Sequence, residues 1–324
     1  MTERLGNRGM EKMKKVLRNI GAVISVGGIG VYSVYKIVFG RNKKNQGLDN
    51  EIPQGKQYDP YAEVIKKGVE DCEKLQFQRI FIEAHDGITL AGKYYHVREN
   101  APIILFFHGY RSGAVRDGNG ILLYAQKRGY NALLVDQRGH GKSGGKCITF
   151  GIEERHDCLD WVRYINRRFG ENTKIVLAGI SMGASTVLMA ADLGLPANVK
   201  GIMADCPYST PKEILREVMK QMRFPVTVTY TAVRLGAKIF GGFDIEEYSA
   251  VEAMKNCGIP VLFIHGDADY FVPCEMGRKC YDACSSEKKL VIVKEAAHGM
   301  SYCVDSALYE KEITEFLGSI LQAK

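Results

Sequence analysis

The chain has 324 residues, with 44 Lys and Arg against 37 Asp and Glu, a net charge of +7 and nine cysteines. The positive excess falls largely in the N-terminal segment and is not interleaved with aromatic residues, which excludes a nucleic-acid-binding surface of the basic–aromatic kind. An odd number of cysteines scattered over the chain argues for a reducing compartment rather than a disulfide-stapled scaffold.

Residues 1–18 form a basic segment carrying Arg4, Arg8, Lys12, Lys14, Lys15 and Arg18 against Glu3 and Glu11. No side chain from Asn19 to Tyr35 is charged, and after Lys36 the apolar run continues through Ile37, Val38 and Phe39 to Gly40. With Lys36 snorkelling toward headgroups, 19–40 is long enough to span a bilayer. Basic residues flank it on both sides and no small-x-small cleavage site follows, so the expectation is an uncleaved single-helix membrane anchor, with anionic lipid as a partner. The denser charge before the run favours placing the rest of the chain outside, whereas the odd number of scattered cysteines favours a reducing side. Gly28-Ile29-Gly30 opens a dinucleotide fingerprint, but Ser33 stands where its third glycine belongs. Residues 41–74 read as a linker, Gln46 to Gln57, followed by a helical spacer from Pro60 to Leu75, in which Tyr61, Val64, Ile65, Val69 and Cys72 recur at helical spacing.

The main domain is expected over 75–324. It opens with two antiparallel strands, Phe77 to Ala84 and Thr89 to His96, joined at Asp86-Gly87. Strands and helices then alternate to the end, implying a mainly parallel sheet covered on both faces, with Trp161 in a helix over 153–168. The sequence Gly179-Ile180-Ser181-Met182-Gly183 sits between an apolar run, Lys174 to Ala178, and a helix-forming run that begins at Ala184. Glycines on both sides permit a sharp strand–helix turn that leaves Ser181 projecting beside the amides of the new helix. A second G-x-S-x-G, around Ser143, opens into no such helix and so fails the structural condition for the motif.

A serine hydroxyl needs a base, and the base an orienting acid. Two apolar runs follow Ser181, Pro260 to Ile264 and Lys289 to Val293, and polar residues trail each: Asp267 and Asp269 after the first, His298 after the second. Ser181, Asp269 and His298 thus come just after strands in the order Ser, Asp, His.

With His108-Gly109-Tyr110, Asp136 to Ser143, His265 to Pro273 and Ala297-His298-Gly299 in addition to the serine turn, residues 75–324 resemble the α/β-hydrolase superfamily of serine hydrolases, in its esterase, lipase-like or serine-aminopeptidase-like group. The resemblance implies an α/β-hydrolase fold, with about eight mainly parallel strands, helices on both faces and a small helical cap at about 207–257. It also implies roles: Ser181 as nucleophile, His298 as base and then acid, Asp269 rather than Asp267 as orienting acid, and the backbone amides of Tyr110 and Met182 as oxyanion hole. His108, His140 and His265 read as structural, Asp136 as the holder of its turn, and the apolar side chains of the cap as either an acyl pocket or buried packing.

The expected activity is hydrolysis of carboxylic esters, including acyl-lipid or thioester ones, with a small-molecule ester or acyl compound as partner. The alternatives are a serine aminopeptidase, for which Asp244, Glu246 and Glu247 are the only acids in the cap placed to hold a substrate amine, and a non-catalytic binding protein. No cofactor is expected, and Cys274, Cys280 and Cys284 lack the partners that would complete a zinc site.

Overall fold

A computed structural model describes residues 30–41 and 57–322. Helix α1 covers 30–38, and α2 spans Ala62–Glu73 after a 3-10 turn at Asp59–Tyr61. The first pair of strands is β1 (Gln78–Glu83) and β2 (Thr89–Tyr95), close to the expected limits. There follow β3 (Ile103–Phe107), α3 (Ala114–Arg128), β4 (Asn131–Asp136), α4 (Glu154–Phe169), β5 (Ile175–Ile180), α5 (Met182–Met189) and β6 (Val199–Asp205). Three helices, α6 (Pro211–Gln221), α7 (Val226–Gly236) and α8 (Ala250–Lys255), with a π turn at Ala237–Gly241, separate β6 from β7 (Val261–Gly266). The chain closes with α9 (Cys274–Ala283), β8 (Lys288–Val293), α10 (Ser301–Val304) and α11 (Ser306–Gln322).

The eight strands form one sheet in the order β1-β2-β4-β3-β5-β6-β7-β8, in which β2 alone runs against its neighbours. Parallel strands covered on both sides are apolar throughout, and β3 is buried at all five positions. Successive residues face opposite layers. Ile103, Leu105 and Phe107 pack with α4, α5, α8 and α9, and Ile104 and Phe106 pack with α2, α3 and α11.

The sequence expectation of a membrane anchor is overturned. No helix among the described residues is long and apolar enough to cross a membrane, and a contact with lipid through this segment loses its support with it. The described part of the run folds back on the domain instead. Tyr35 and Phe39, one helical turn apart, are buried, with Phe39 edge-on to Phe150 and Phe243. Beyond α1 the chain pairs Gly40 with Cys147, and the Ile148 amide donates to Phe39 O. The basic residues 1–18, the start of the apolar run and most of the linker lie outside the described residues. All nine cysteines are described and unpaired.

Candidate active site

The turn at Ser181 is built by backbone proximity. Ser181 has φ 54° and ψ −117°, a conformation that L-residues rarely adopt. A side chain at Gly183 would put Cβ 2.0 Å from Phe107 O, and one at Gly179 would come within 2.4 Å of Gly183. Only glycine allows β5 and α5 to approach so closely at this corner. The turn is fastened by the Ser181 amide, which donates to Asp205 O at 2.8 Å.

Loops at the carboxyl ends of β7 and β8 bring the other two residues to it. Ser181 Oγ lies 2.9 Å from His298 Nε2, and His298 Nδ1 lies 2.7 Å from Asp269 Oδ2. Asp269 Oδ1 accepts from the amides of Phe271 and Val272 at 3.0 and 2.8 Å. Burial alone would raise the Asp269 carboxyl, but the charge of His298 and hydrogen bonds from His265 and His298 outweigh it and hold the group at about 2. An ionised carboxylate on Nδ1 fixes the tautomer that leaves Nε2 facing the serine. Asp267 turns elsewhere, accepting from the Glu295 amide at 2.6 Å.

Met182 follows Ser181 as the first residue of α5, and Tyr110 lines the same cavity as Ser181. Gly109 donates its amide to Asp117 Oδ2 at 2.8 Å, and the Arg111 amide donates to His140 Nε2 at 2.9 Å. Burial and the neighbouring His108 keep His140 well below the usual histidine range, so it is neutral and accepts at Nε2 while Nδ1 faces Arg138 O at 3.0 Å. The Tyr110 hydroxyl donates to Val38 O at 2.6 Å, and the Arg111 guanidinium reaches Ile37 O and, at 3.4 Å, Gly40 O. The loop that carries the Tyr110 amide is therefore fastened from α1, α3 and the β4 loop together.

The remaining sequence candidates take structural positions. Ser143 is fully buried, with its hydroxyl donating to Asp136 O and accepting from the Ala91 amide. Asp136 holds its turn by accepting from the Lys142 amide at 2.9 Å. His108 Nε2 accepts from the Gln137 amide at 3.1 Å, and His265 Nε2 faces Val272 O at 2.9 Å. Among the described residues two groups of donors have ligand atoms within 4.8 Å of one another, Cys206 with Asp269 and His298, and His85 with Asp157 and Asp160. In both, the carboxylates already hold partners: Asp269 as above, Asp157 a bidentate pair with Arg138, and Asp160 the His85 ring.

A cavity of about 290 Å³ opens at Ser181 and His298. Its lining includes Tyr58, Ile65, Phe106, Met203 and Ile313, but no residue between 206 and 263. The helices between β6 and β7 therefore do not wall it; their Met219, Tyr230 and Phe243 are buried in the opposite layer. Sequence reasoning missed Tyr58, which falls where the linker gives way to the spacer helix. It also missed Asp117, whose link to Gly109 follows no motif.

A family model described as "Serine aminopeptidase, S33" matches residues 98–238. The uncharacterized protein YqkD of Bacillus subtilis is 26% identical over 95% of this chain and 98% of its own length. The lysophosphatidylserine lipase ABHD12 of Danio rerio is 25% identical over 58% of this chain and 49% of its own. The esterase Pf2001 of Pyrococcus furiosus superposes with a TM-score of 0.63 at 23% identity, covering 78% of this chain and 93% of the other. With its sheet order, its serine turn and these similarities, the chain is a hydrolase of the α/β-hydrolase superfamily.

Proposed function

We propose that the protein hydrolyses carboxylic esters through an acyl-enzyme on Ser181. The observation that carries this reading is the continuous chain Ser181 Oγ–His298–Asp269, at 2.9 and 2.7 Å, whose Ser181 and His298 line a mostly apolar cavity. Ser181 Oγ attacks the ester carbonyl carbon as its proton passes to His298 Nε2. The negative oxygen of the tetrahedral intermediate is met by the amides of Tyr110 and Met182. Collapse breaks the carbonyl–alkoxy bond, with His298 returning the proton to the departing alcohol. Water then attacks the acyl carbonyl as its proton passes to His298 Nε2, and collapse breaks the bond to Ser181 Oγ, which recovers the proton from His298 as the carboxylic acid leaves. Asp269 stays ionised throughout and stabilises the imidazolium.

The description of the matching family model favours a second reading, a serine aminopeptidase. That chemistry needs an acid to hold the substrate amine, and the three candidates are occupied elsewhere. Asp244 pairs with Arg234 and Lys238, Glu246 with Lys212 and Arg234, and Glu247 with Arg155 at 3.6 Å. None of them lines the cavity. Ester hydrolysis is therefore the reading we adopt.

Labelling with a fluorophosphonate probe tests it. The wild type and Ser143→Ala should label, Ser181→Ala should not, and His298→Ala should label far more slowly. Asp269→Asn should keep the geometry but reduce kcat for a simple ester by about four orders of magnitude, because the wrong tautomer then faces the serine. Ester turnover retained by Ser181→Ala would overturn the assignment.

A further inference from the structure

Away from its exposed residues the cavity at Ser181 is lined by the buried Ile65, Phe106, Met203 and Ile313, and Ile65 belongs to an element outside the matched family region. Its floor is the face of the sheet that carries Phe106, Ala178, Met203 and Ile264, its walls are α3 and α11, and its roof is the segment Tyr58 to Ile65 leading into α2. Ile65 is 4% exposed and packs in the same apolar layer as Phe106, Met203 and Ile313. α2 seats tightly on α3, since a Cβ at Gly68 would meet the Asn119 side chain at 2.5 Å. Tyr58 shares the lining with Ser181 and Ile65, and its phenol lies within electrostatic reach of Cys206, Asp269 and Asp117.

The charges in the lining are already spent. Asp117 accepts from the Gly109 amide, Arg116 is paired with Asp117 and the Ser112 hydroxyl, and Asp205 accepts from Ser301 at 3.2 Å. A charged substrate group pushed into this space would lose water and find no unpaired counter-charge. An alkyl chain loses nothing there and gains about 0.8 kcal/mol for each methylene removed from water. An apolar cavity of about 150 Å³ admits benzene, so by the same measure one of about 290 Å³ takes on the order of ten carbon-sized groups. Direction follows from the reaction order. The alcohol has to leave before water attacks, so it cannot occupy the buried end; the acyl group, which stays bonded to Ser181 until the last step, can.

We propose that the cavity beneath Tyr58 and Ile65 is the acyl-binding site, that it takes an unbranched, uncharged acyl chain of about eight carbons, and that α2 rather than the helices between β6 and β7 sets the limit on its length. This rests on the ester-hydrolase reading above. The polar part of the ester, whatever its charge, stays on the open side near Phe271 and the exposed Tyr270.

The test uses the full-length protein and p-nitrophenyl esters of straight acids from acetate to myristate. kcat/KM should peak near octanoate and fall at least tenfold by myristate. Ile65→Trp, which fills the roof, should lower the octanoate-to-acetate ratio at least tenfold. Ile65→Ala, which enlarges it, should raise the laurate-to-octanoate ratio at least threefold, and it carries the test alone if the tryptophan variant does not fold. Met222→Ala and Phe224→Ala, on the exposed surface after α6, should leave both ratios within twofold. A profile moved by the α6 variants and not by Ile65, or one independent of chain length, overturns the inference while leaving ester hydrolysis standing. Absence of Ser181-dependent turnover of every ester, acetate included, is the separate outcome that removes the functional reading itself.

Discussion

Asp205 shows how closely structure and chemistry are coupled at single residues here. Its backbone carbonyl holds the Ser181 amide and its buried side chain accepts from Ser301. Burial raises its carboxyl to about 6, only partly countered by the charges of His265 and His298 and by hydrogen bonds from Tyr309 and Ser301. The reference value is 3.8, so the native state binds this proton more tightly than the unfolded chain does. Stability from this group is therefore full below about pH 4 and is lost as pH rises through 6, a cost of about 3 kcal/mol at pH 8. Asp205→Asn keeps an acceptor for Ser301 and removes the charge. Its Tm relative to wild type should rise from pH 5 to pH 8; an equal difference at both pH values would contradict the burial argument. Gly183 is the opposite case, where no side chain is tolerated. With Cβ 2.0 Å from Phe107 O, Gly183→Ala should yield little folded protein, judged by soluble yield and far-UV circular dichroism.

At the scale of elements, what the sequence disclosed depended on whether a local pattern dictated the contact. The serine turn was legible because strand, glycine, serine, glycine and helix occur within some fifteen residues of chain, and the geometry follows from sterics. Asp269 and His298 were legible because loops at the carboxyl ends of parallel strands converge on one rim. The wall of the cavity was not. The apolar residues between β6 and β7 have the composition of a pocket, and nothing local distinguishes Tyr230 or Phe243 packed in a core from the same residues lining a site. Nor does any motif announce that α1 fastens the Tyr110 loop: the Tyr110 hydroxyl meets Val38 O across 72 residues. That contact makes a prediction of its own. Tyr110→Phe keeps the ring on Phe150 and the backbone amide but frees the loop from α1. It should lower kcat about tenfold, near the worth of one buried hydrogen bond, with KM changed far less. A rise in KM at constant kcat would instead mean that the hydroxyl serves ground-state binding.

Across the whole molecule, the two elements that precede the sheet clasp it from opposite sides, α1 in the layer of α4 and α5, and α2 in the layer of α3 and α11. This is why the apolar run around residue 30 misled. Its pattern of valines, isoleucines and glycines satisfies the length rule for a bilayer, and a length rule takes no account of which side chains share a face. Tyr35 and Phe39 do share one, and they meet Phe150, Phe240 and Phe243 rather than lipid, while Ile37 on another face is 68% exposed. If α1 is part of the core, its loss must be felt by the entire fold. Phe39 is fully buried among aromatic rings, so Phe39→Ala should destabilise by about 3–5 kcal/mol and lower the Tm of the main transition by several degrees. Ile37→Ala, on the exposed side of the same helix, should stay within about 0.5 kcal/mol. Thermal unfolding followed by circular dichroism separates the two arrangements. A main transition unmoved by Phe39→Ala would mean that α1 is an appendage, and the fastening of the Tyr110 loop would then have to come from Asp117 and His140 alone.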